Sequence, residues 1–159
     1  MTVVASSQQT QEAGSAALAE GAGPARPIKV VAILCNWCSY AGADGAGTAR
    51  LVQPYGFRVV RVPCTGRVDP LLVLKAFEKG ADGVLISGCH PGDCHYSEGN
   101  YYARRKFELL RRMVPHLGIE PERFRYTWVS ASEAARWQEV VTTFLAGVAA
   151  LGPREGRAL

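Results

Sequence analysis

The chain has 159 residues, which is long enough for one domain with a single buried core and too short for two. Its hydrophobic fraction of 48% and charged fraction of 20% are those of an ordinary globular protein, which excludes disorder over the whole length. No apolar run reaches the roughly 18 to 20 residues that cross a bilayer, so a membrane span is not expected. The net charge of +4 is mild, and no basic cluster is interleaved with aromatic residues, which argues against a nucleic-acid partner.

The first 26 residues consist mainly of alanine, glycine, serine, glutamine and threonine, and they predict a mobile tail. They lack the basic and apolar regions of a secretory signal, so we expect a cytoplasmic protein whose thiols stay reduced. The folded domain is expected over residues 27–152, and a short C-terminal tail is expected at 153–159.

Strand and helix patterns alternate through the rest of the chain. In chain order, the sequence predicts a strand at 29–34, a helix at about 45–55, a strand at 57–62, a helix at 71–79, a strand at 83–87, a helix at about 100–116, a strand at 125–129 and a long helix that runs to residue 151. Asp69 and Pro70 predict the start of the second helix and Gly80 its end. Ser130 and Glu133 form a capping box ahead of the last helix.

This alternation predicts an α/β fold with right-handed crossovers and an open, parallel four-stranded sheet with flanking helices. The first and third strands are almost wholly apolar, as expected for strands covered on both faces. The second strand carries Arg58 and Arg61, which suits an edge position. We therefore expect a flavodoxin-like single domain with strand order 2-1-3-4 and a disordered N-terminal tail.

Cysteine is the one unusual component of the composition. The five cysteines are Cys35, Cys38, Cys64, Cys89 and Cys94. Their odd number argues against a closed disulfide framework. Each lies at or just after the carboxyl end of a predicted strand, where a parallel sheet collects its ligands. Because the first three strands are neighbours in the order 2-1-3-4, the sequence predicts that thiols from three loops meet at one edge of the sheet.

Thiolates are soft ligands that favour zinc or iron–sulfur clusters over hard cations. A [2Fe–2S] cluster takes four cysteine ligands, so four of these five thiols would suffice. Either Cys64 is spare, or Cys64 is a ligand and one member of the other pairs is spare. Three alternatives stay open: a structural zinc site, a thioredoxin-like redox pair of Cys35 and Cys38, and small buried side chains with no ligand.

Other polar residues give weaker signals. His90 and His95 flank the last two cysteines, and hydrogen bonding to cluster sulfur or to a partner suits them better than ligation. A stripe on the third predicted helix is more typical of a solvated face than of a site, although arginine is also favoured at interfaces. That stripe consists of Arg104, Arg105, Arg111 and Arg112.

Three loops closely resemble a known family, the iron–sulfur (delta) subunit of methyl-viologen-reducing hydrogenases. They are Cys35-Asn-Trp-Cys-Ser-Tyr-Ala-Gly-Ala-Asp44, Cys64-Thr-Gly-Arg-Val-Asp-Pro70 and Gly88-Cys-His-Pro-Gly-Asp-Cys-His-Tyr96. The resemblance covers about residues 28–151 and matches all five cysteine positions of the family. The last of the three loops is the most specific, because it is long and contains two cysteines and two histidines.

The resemblance implies a [2Fe–2S] cluster and an electron-transfer subunit without a substrate site of its own. Such subunits connect an oxidoreductase, of hydrogenase or formate dehydrogenase type, to the flavin- and iron–sulfur-containing A-type subunit of heterodisulfide reductase, in an assembly that performs electron bifurcation. Arg67, His90 and His95 are then candidates for tuning the cluster from close by. The alternative is a thiol–disulfide or flavodoxin-like redox enzyme that uses Cys35 and Cys38.

A carrier of one cluster has to bring it close to its donor and acceptor. The sheet edge with the cysteines is therefore expected to dock against an iron–sulfur or flavin subunit. The side chains expected at that edge are Trp37, Tyr40, His95, Tyr96 and Tyr101.

Overall fold

The computed structural model describes residues 26–154, so most of the predicted N-terminal tail and residues 155–159 lie outside the described part. Four parallel strands form one sheet in the order β2-β1-β3-β4, which confirms the predicted fold class. In chain order the elements are β1 (Val30–Cys35), α1 (Ser39–Thr48), β2 (Phe57–Val62), α2 (Pro70–Glu78), β3 (Gly83–Gly88), α3 (Gly99–Met113), β4 (Phe124–Trp128) and α4 (Ala134–Leu151), with 3-10 turns at Thr65–Arg67, Val114–Leu117 and Pro121–Arg123.

The two central strands are buried along almost their whole length, as their apolar sequences predict. Within residues 26–154, strand β2 pairs with β1 alone and is largely exposed, which confirms the edge position expected from Arg58 and Arg61. The other edge of the described sheet is β4, whose one partner among these strands is β3. Residues Cys35 and Val62 are paired at the carboxyl ends of β1 and β2, so the loops that follow these strands begin side by side.

Each face of the sheet carries its own hydrophobic core because successive strand residues point to opposite faces. On one face, Ile33 and Ile86 pack against the apolar sides of α2 and α3, where Phe77 and Phe107 are fully buried. On the other face, Trp137 and its neighbours on α4 pack with α1 against the remaining strand residues. The fold is therefore a three-layer sandwich with two helices on each face.

The first helix lies earlier in the chain than the sequence predicts. It was predicted at about 45–55, whereas α1 is Ser39–Thr48 and begins directly after Cys38. Its glycines weaken the intrinsic helix signal, but Gly42 lets the helix approach the neighbouring loop so closely that a Cβ there would lie 2.7 Å from the Ser130 carbonyl oxygen. The helix ends at Thr48, and Arg50 beyond it has a left-handed backbone with φ of 56°. Tertiary packing therefore outweighs local propensity in this segment.

The other helix boundaries follow the predicted signals more closely. The Asp69 carboxylate accepts a hydrogen bond from the Leu71 N–H at the start of α2, which confirms the predicted N-cap. At the start of α4, one of the two hydrogen bonds of the predicted capping box forms, in which the Glu133 carboxylate accepts the Ser130 N–H. The helix itself begins later than the box predicts, at Ala134. Helix α3 ends at Met113, and the predicted continuation to residue 116 is a 3-10 turn.

Asp82 joins the two ends of the described chain at the amino edge of the sheet. Its side chain is fully buried and accepts both guanidinium N–H groups of Arg26, at 2.6 and 2.7 Å. It also accepts the backbone N–H groups of Lys29 and Arg154. Burial acts to raise the pKa of this carboxyl, but these donors outweigh burial and the pKa lies below its usual value. The edge opposite the cysteines is thus closed by an ion pair whose carboxylate is buried and whose guanidinium is partly exposed.

Candidate metal centre

Three loops bring the five cysteines to the carboxyl edge of the sheet, as the sequence predicted. Cys35 is the last residue of β1, and Cys38 lies directly before α1. Cys64 follows β2, and Cys89 follows β3. All five are free thiols, and four of them are buried, whereas Cys94 is partly exposed. Strand order explains the convergence, because β1 lies between β2 and β3, the two strands whose loops carry the other thiols.

The sulfur atoms fall into a group of three and a group of two. The Sγ atoms of Cys35, Cys38 and Cys89 all lie within 4.8 Å of one another. The Sγ atoms of Cys64 and Cys94 are 4.0 Å apart, and Cys94 also packs against the group of three. Two thiolates on one tetrahedral metal with bonds of about 2.3 Å lie about 3.8 Å apart. Both groups therefore fit metal ligation with small movements of the side chains.

Two of the five thiols have a lowered pKa. The N–H groups of Trp37 and Cys38 reach the Cys35 sulfur, and those of Tyr96 and Asn100 reach the Cys94 sulfur. The pKa of Cys35 falls to about 6. A hydrogen bond from the Cys89 thiol lowers this pKa most, and the backbone N–H groups lower it further, whereas burial acts to raise it. At Cys94, burial acts to raise the pKa, but the backbone N–H groups outweigh burial and the pKa is lowered. Both sites therefore stabilise the thiolate more than an ordinary cysteine site does.

The remaining three thiols are shifted the other way. Burial, reinforced by the negative charge of Cys35, raises the pKa of Cys38 to about 11. Burial also raises the pKa of Cys64, although its sulfur accepts the Gly66 N–H at 3.4 Å. The pKa of Cys89 is raised, first because its thiol donates to Cys35 and then because it is buried. Five adjacent sulfur atoms cannot all carry charge without a counter-ion, so this donor set fits a cation.

Two glycines make room for the sulfur atoms. A Cβ at Gly99 would overlap the Cys64 sulfur and would lie 3.2 Å from the Cys94 sulfur. A Cβ at Gly66 would lie 2.5 Å from the Gly99 carbonyl oxygen. The start of α3 and the Cys64 loop therefore cross backbone against backbone. Lys106 fixes this crossing, because its ammonium group donates to the carbonyl oxygens of Gly66 and Val68 at 2.8 Å each.

The two histidines that flank the cysteines have different surroundings. His90 Nε2 lies 2.7 Å from a Glu133 carboxylate oxygen, and its carbonyl accepts the Asn100 amide. His95 is exposed and stacks on the Trp37 ring at a centroid distance of 4.0 Å. Neither histidine belongs to the group of three close thiols found among the described residues. Sequence reasoning identified Glu133 only as a capping-box residue ahead of the last helix and did not predict its contact with His90.

Aromatic side chains cover the outside of the thiol edge. The Trp37 indole N–H lies 3.2 Å from the Tyr96 hydroxyl, and His95 packs edge-on against Tyr96. Trp37 and Tyr96 remain 47% and 51% exposed, so they border the site rather than fill the core. Next to them, Arg67 is exposed and lines an open groove with Cys64, Tyr96 and Tyr102. Of the other aromatics expected here, Tyr40 lies under the Arg61 guanidinium, and Tyr101 lines a separate groove on α3.

Residues 30–152 match the family described as methyl-viologen-reducing hydrogenase, delta subunit. The chain belongs to this family. The matched segment spans every strand and helix of the described structure and all five cysteines. The family expected from the three cysteine loops is thereby confirmed.

Curated relatives of two kinds are similar to the chain. It is 53% identical over 124 residues to the iron-sulfur subunit of the F420-non-reducing hydrogenase of Archaeoglobus profundus, which covers 78% of this chain and 90% of the relative. It is 49% identical over 125 residues to the iron-sulfur subunit of the vhc F420-non-reducing hydrogenase of Methanococcus voltae, which covers 79% of this chain and 87% of that one. It is also 43% identical over 124 residues to the A-type subunit of the ferredoxin:CoB-CoM heterodisulfide reductase of Methanosarcina mazei, which covers 78% of this chain but only 16% of the relative.

The delta-subunit domain thus occurs both as a separate chain and as a small part of a much larger one. Within residues 26–154 of the present member, none of the helices combines the length and the apolar character needed to cross a membrane.

Proposed function

We propose that this protein is the iron–sulfur electron-transfer subunit of a larger oxidoreductase complex and carries one [2Fe–2S] cluster at its cysteine edge. The observation that supports this most is the arrangement of five free thiols, three with sulfur atoms within 4.8 Å of one another and two at 4.0 Å. Such a cluster takes four thiolates, two on each iron, and supplies one-electron redox chemistry when bound. The hydrogenase relatives carry the name of iron-sulfur subunits, which agrees with this proposal.

Two of the thiol pairs suit the two irons. We propose that Cys64 and Cys94 hold one iron, because their separation of 4.0 Å is close to that of two ligands on one tetrahedral metal. The Sγ atoms of Cys35 and Cys89 lie within 4.8 Å of each other, and we propose this pair for the second iron. Cys38 is then the fifth thiol, held against the cluster without ligating it.

Neighbouring groups would tune the cluster without binding it. Backbone N–H groups that reach Cys35 and Cys94 stabilise negative charge on their sulfurs. We propose that Arg67, which lines the groove beside Cys64, favours the reduced and more negative form. His90 and His95 would act as hydrogen-bonding neighbours, and the Glu133 carboxylate orients His90.

The proposed partners of this chain are inferred from the larger proteins in which the same domain occurs. In the relative from Methanosarcina mazei the matching segment is 16% of the A-type subunit of a heterodisulfide reductase, so the domain and the rest of that protein share one chain there. We propose that the present chain docks on a separate, related flavin and iron–sulfur protein and serves a bifurcating complex in the cytoplasm. The protein would take one electron from a hydrogenase, a formate dehydrogenase or another oxidoreductase and pass one electron on. The exposed Trp37 and Tyr96 suit that docking surface, because aromatic residues are enriched at interfaces.

The alternative is a thiol–disulfide enzyme that uses Cys35 and Cys38. A thiol pKa of about 6 at Cys35 beside a raised pKa at Cys38 matches the pattern of such redox pairs. Cys35 is only 2% exposed, however, and an exchange reaction needs a nucleophile that a second protein can reach. The redox pair would also leave the other three thiols without a role.

Metal analysis of five serine variants tests the proposal. Anaerobically purified protein is expected to contain about two irons and two acid-labile sulfides per chain. C35S, C64S, C89S and C94S are expected to lose or distort the visible absorption, whereas C38S keeps both absorption and iron, because serine preserves size but removes the soft sulfur donor. One zinc per chain without iron would overturn the cluster, and a colourless protein with a reversible Cys35–Cys38 disulfide would favour the alternative.

A further inference from the structure

The outer edge of β4 is open in the described part of the chain. In doubly wound sheets of order 2-1-3-4-5, a fifth strand pairs with the fourth. Here β4 is followed by α4, which packs with α1 on the far side of the sheet, and residues 26–154 contain no further strand. Every second residue of an edge strand directs its N–H and C=O groups away from the sheet, where they can pair with another chain.

The open edge lies at the bottom of a long groove. Helix α3 forms one wall and α4 the other, and the groove has a volume of about 900 Å³. On the α3 side of the sheet it is lined by the β4 side chains Phe124, Tyr126 and Trp128, of which Tyr126 and Trp128 are half-buried. On the α4 side it is lined by Phe144, which like Phe124 is almost fully buried. The shape and the aromatic lining suit an extended segment with alternating side chains.

The rim of the groove is basic. Four arginines line it, against two glutamates: Arg104, Arg111, Arg112 and Arg125, with Glu108 and Glu122. Glu108 pairs with Arg111 at 2.9 Å and with Arg112 at 3.7 Å. The Arg104 guanidinium forms no ion pair with any residue of the described chain, and Arg125 contacts only the neutral hydroxyl of Thr143. The groove therefore has excess positive charge for a negatively charged occupant.

We propose that the β4 edge binds an extended acidic segment of a partner protein as a fifth strand of the sheet. Main-chain hydrogen bonds to β4 supply affinity, apolar side chains of the segment cover the half-buried Tyr126 and Trp128, and its carboxylates meet the arginines. Trp128 is paired in register with Gly88, the residue directly before Cys89. A segment bound here ends one strand away from the cysteine loops, on a face separate from Trp37 and Tyr96. This inference does not depend on which metal the cysteines hold.

A designed peptide tests the proposal with the full-length protein. The probe is an acetylated and amidated octapeptide of alternating glutamate and valine, and the comparison peptide alternates lysine and valine. The acidic peptide is expected to bind and to slow backbone hydrogen exchange at 124–128, with affinity that falls as salt rises, because the contacts are partly ionic. The lysine peptide is expected not to bind.

Two charge-reversal variants locate the binding site. R125E places a negative charge on β4 and is expected to weaken acidic-peptide binding about tenfold or more, because it removes one attraction and adds one repulsion. R58E makes the same change on the opposite edge strand β2, where Arg58 is also exposed, and is expected to bind as wild type. Iron content and visible absorption are measured in both variants, so that loss of the metal centre can be distinguished from loss of peptide binding.

Four results would overturn the proposal. They are no binding of the acidic peptide, equal binding of both peptides, exchange protection at 57–62 instead of 124–128, and unchanged binding by R125E. A dimer that R125E dissociates would assign the edge to a second copy of the chain. A large rise in peptide affinity after removal of residues 1–25 would assign it to the chain's own N-terminal segment.

Discussion

Gly66 and Gly99 cross so closely that neither position has space for a side chain. A Cβ at Gly66 would lie 2.5 Å from the Gly99 carbonyl oxygen, and a Cβ at Gly99 would overlap the Cys64 sulfur. Gly66 belongs to the loop that carries Cys64, and Gly99 is the first residue of α3, directly after the loop that carries Cys94. The distance between these two sulfurs, 4.0 Å, is therefore set by two glycines that ligate nothing.

Gly99→Ala should disrupt the metal centre more than the fold. The added methyl group displaces the Cys64 sulfur, so we expect the purified variant to lose most of its iron while it keeps the circular dichroism of an α/β protein. Gly147→Ala is the matched control on α4, where a Cβ would have no neighbour within 4 Å. It should keep its iron and gain about 0.5–1 kcal/mol of unfolding free energy from better helix propensity. Full iron content in Gly99→Ala would show that the Cys64 loop can shift without consequence.

Lys106→Met should loosen the Cys64 loop. The ammonium group donates to the carbonyl oxygens of Gly66 and Val68, and methionine keeps the apolar stem but not these two bonds. We expect a loss of about 1.5–3 kcal/mol in unfolding free energy, together with faster iron release to a chelator. Lys75→Met is the control, because its ion pair with Glu78 is exposed and contributes little. Equal chelation rates in both variants would contradict a role for Lys106 at the site.

The buried hydroxyls of Ser39 and Ser87 should contribute to the free energy of unfolding as a coupled pair. The Ser39 hydroxyl contacts the carbonyl oxygens of Gly88 and Val129 and accepts the Ser87 hydroxyl at 2.9 Å. Ser39→Ala leaves a fully buried Ser87 hydroxyl without this partner, and we expect a cost of about 1–3 kcal/mol. The double variant with Ser87→Ala should lose less than the sum of the two single variants, measured by urea denaturation. Strict additivity would show that the two hydroxyls are not coupled.

Asp82→Asn should reduce the acid sensitivity of the fold. Because donors including Arg26 lower the folded-state pKa of Asp82, its charge stabilises the fold above the unfolded-state pKa of about 4. That contribution is lost as the pH falls through the lowered folded-state pKa. Near neutral pH we expect the variant to lose about 1.5 kcal/mol, at the low end for charged hydrogen bonds, because the Arg26 side chain is 37% exposed and screened by solvent.

The measurement for Asp82 is the difference in unfolding free energy between wild type and variant across acidic pH. This difference should begin to shrink as the pH falls below about 4, where the unfolded wild type takes up a proton at Asp82. It should reach its minimum below the lowered folded-state pKa, where both proteins carry a neutral side chain at this position. Asp44→Asn, at an exposed position on α1, is the control and should show little difference at any pH. A gap between wild type and Asp82→Asn that stays constant into strong acid would contradict the assignment.

Local patterns in the sequence predicted most of the architecture. The apolar runs of β1 and β3, the arginines of β2 and the Asp69 cap each produced the expected element, because each signal acts over a few residues. Chain order then limited the topology, since right-handed crossovers leave few arrangements of four parallel strands. The convergence of the cysteines followed directly, because each comes just after a strand.

Contacts between distant segments decided what the sequence left open. The start of α1 at Ser39 depends on packing against Val129 and Ser130, roughly ninety residues away, which no local propensity encodes. The grouping of the thiols into three and two depends on strand register and on the Gly66–Gly99 crossing, so spacing alone could not identify the pairs. By itself, the sequence determined which strands carry sulfur and at which sheet edge. Only the tertiary structure decided which sulfurs meet, because a separation of a few ångströms depends on side-chain packing across several loops.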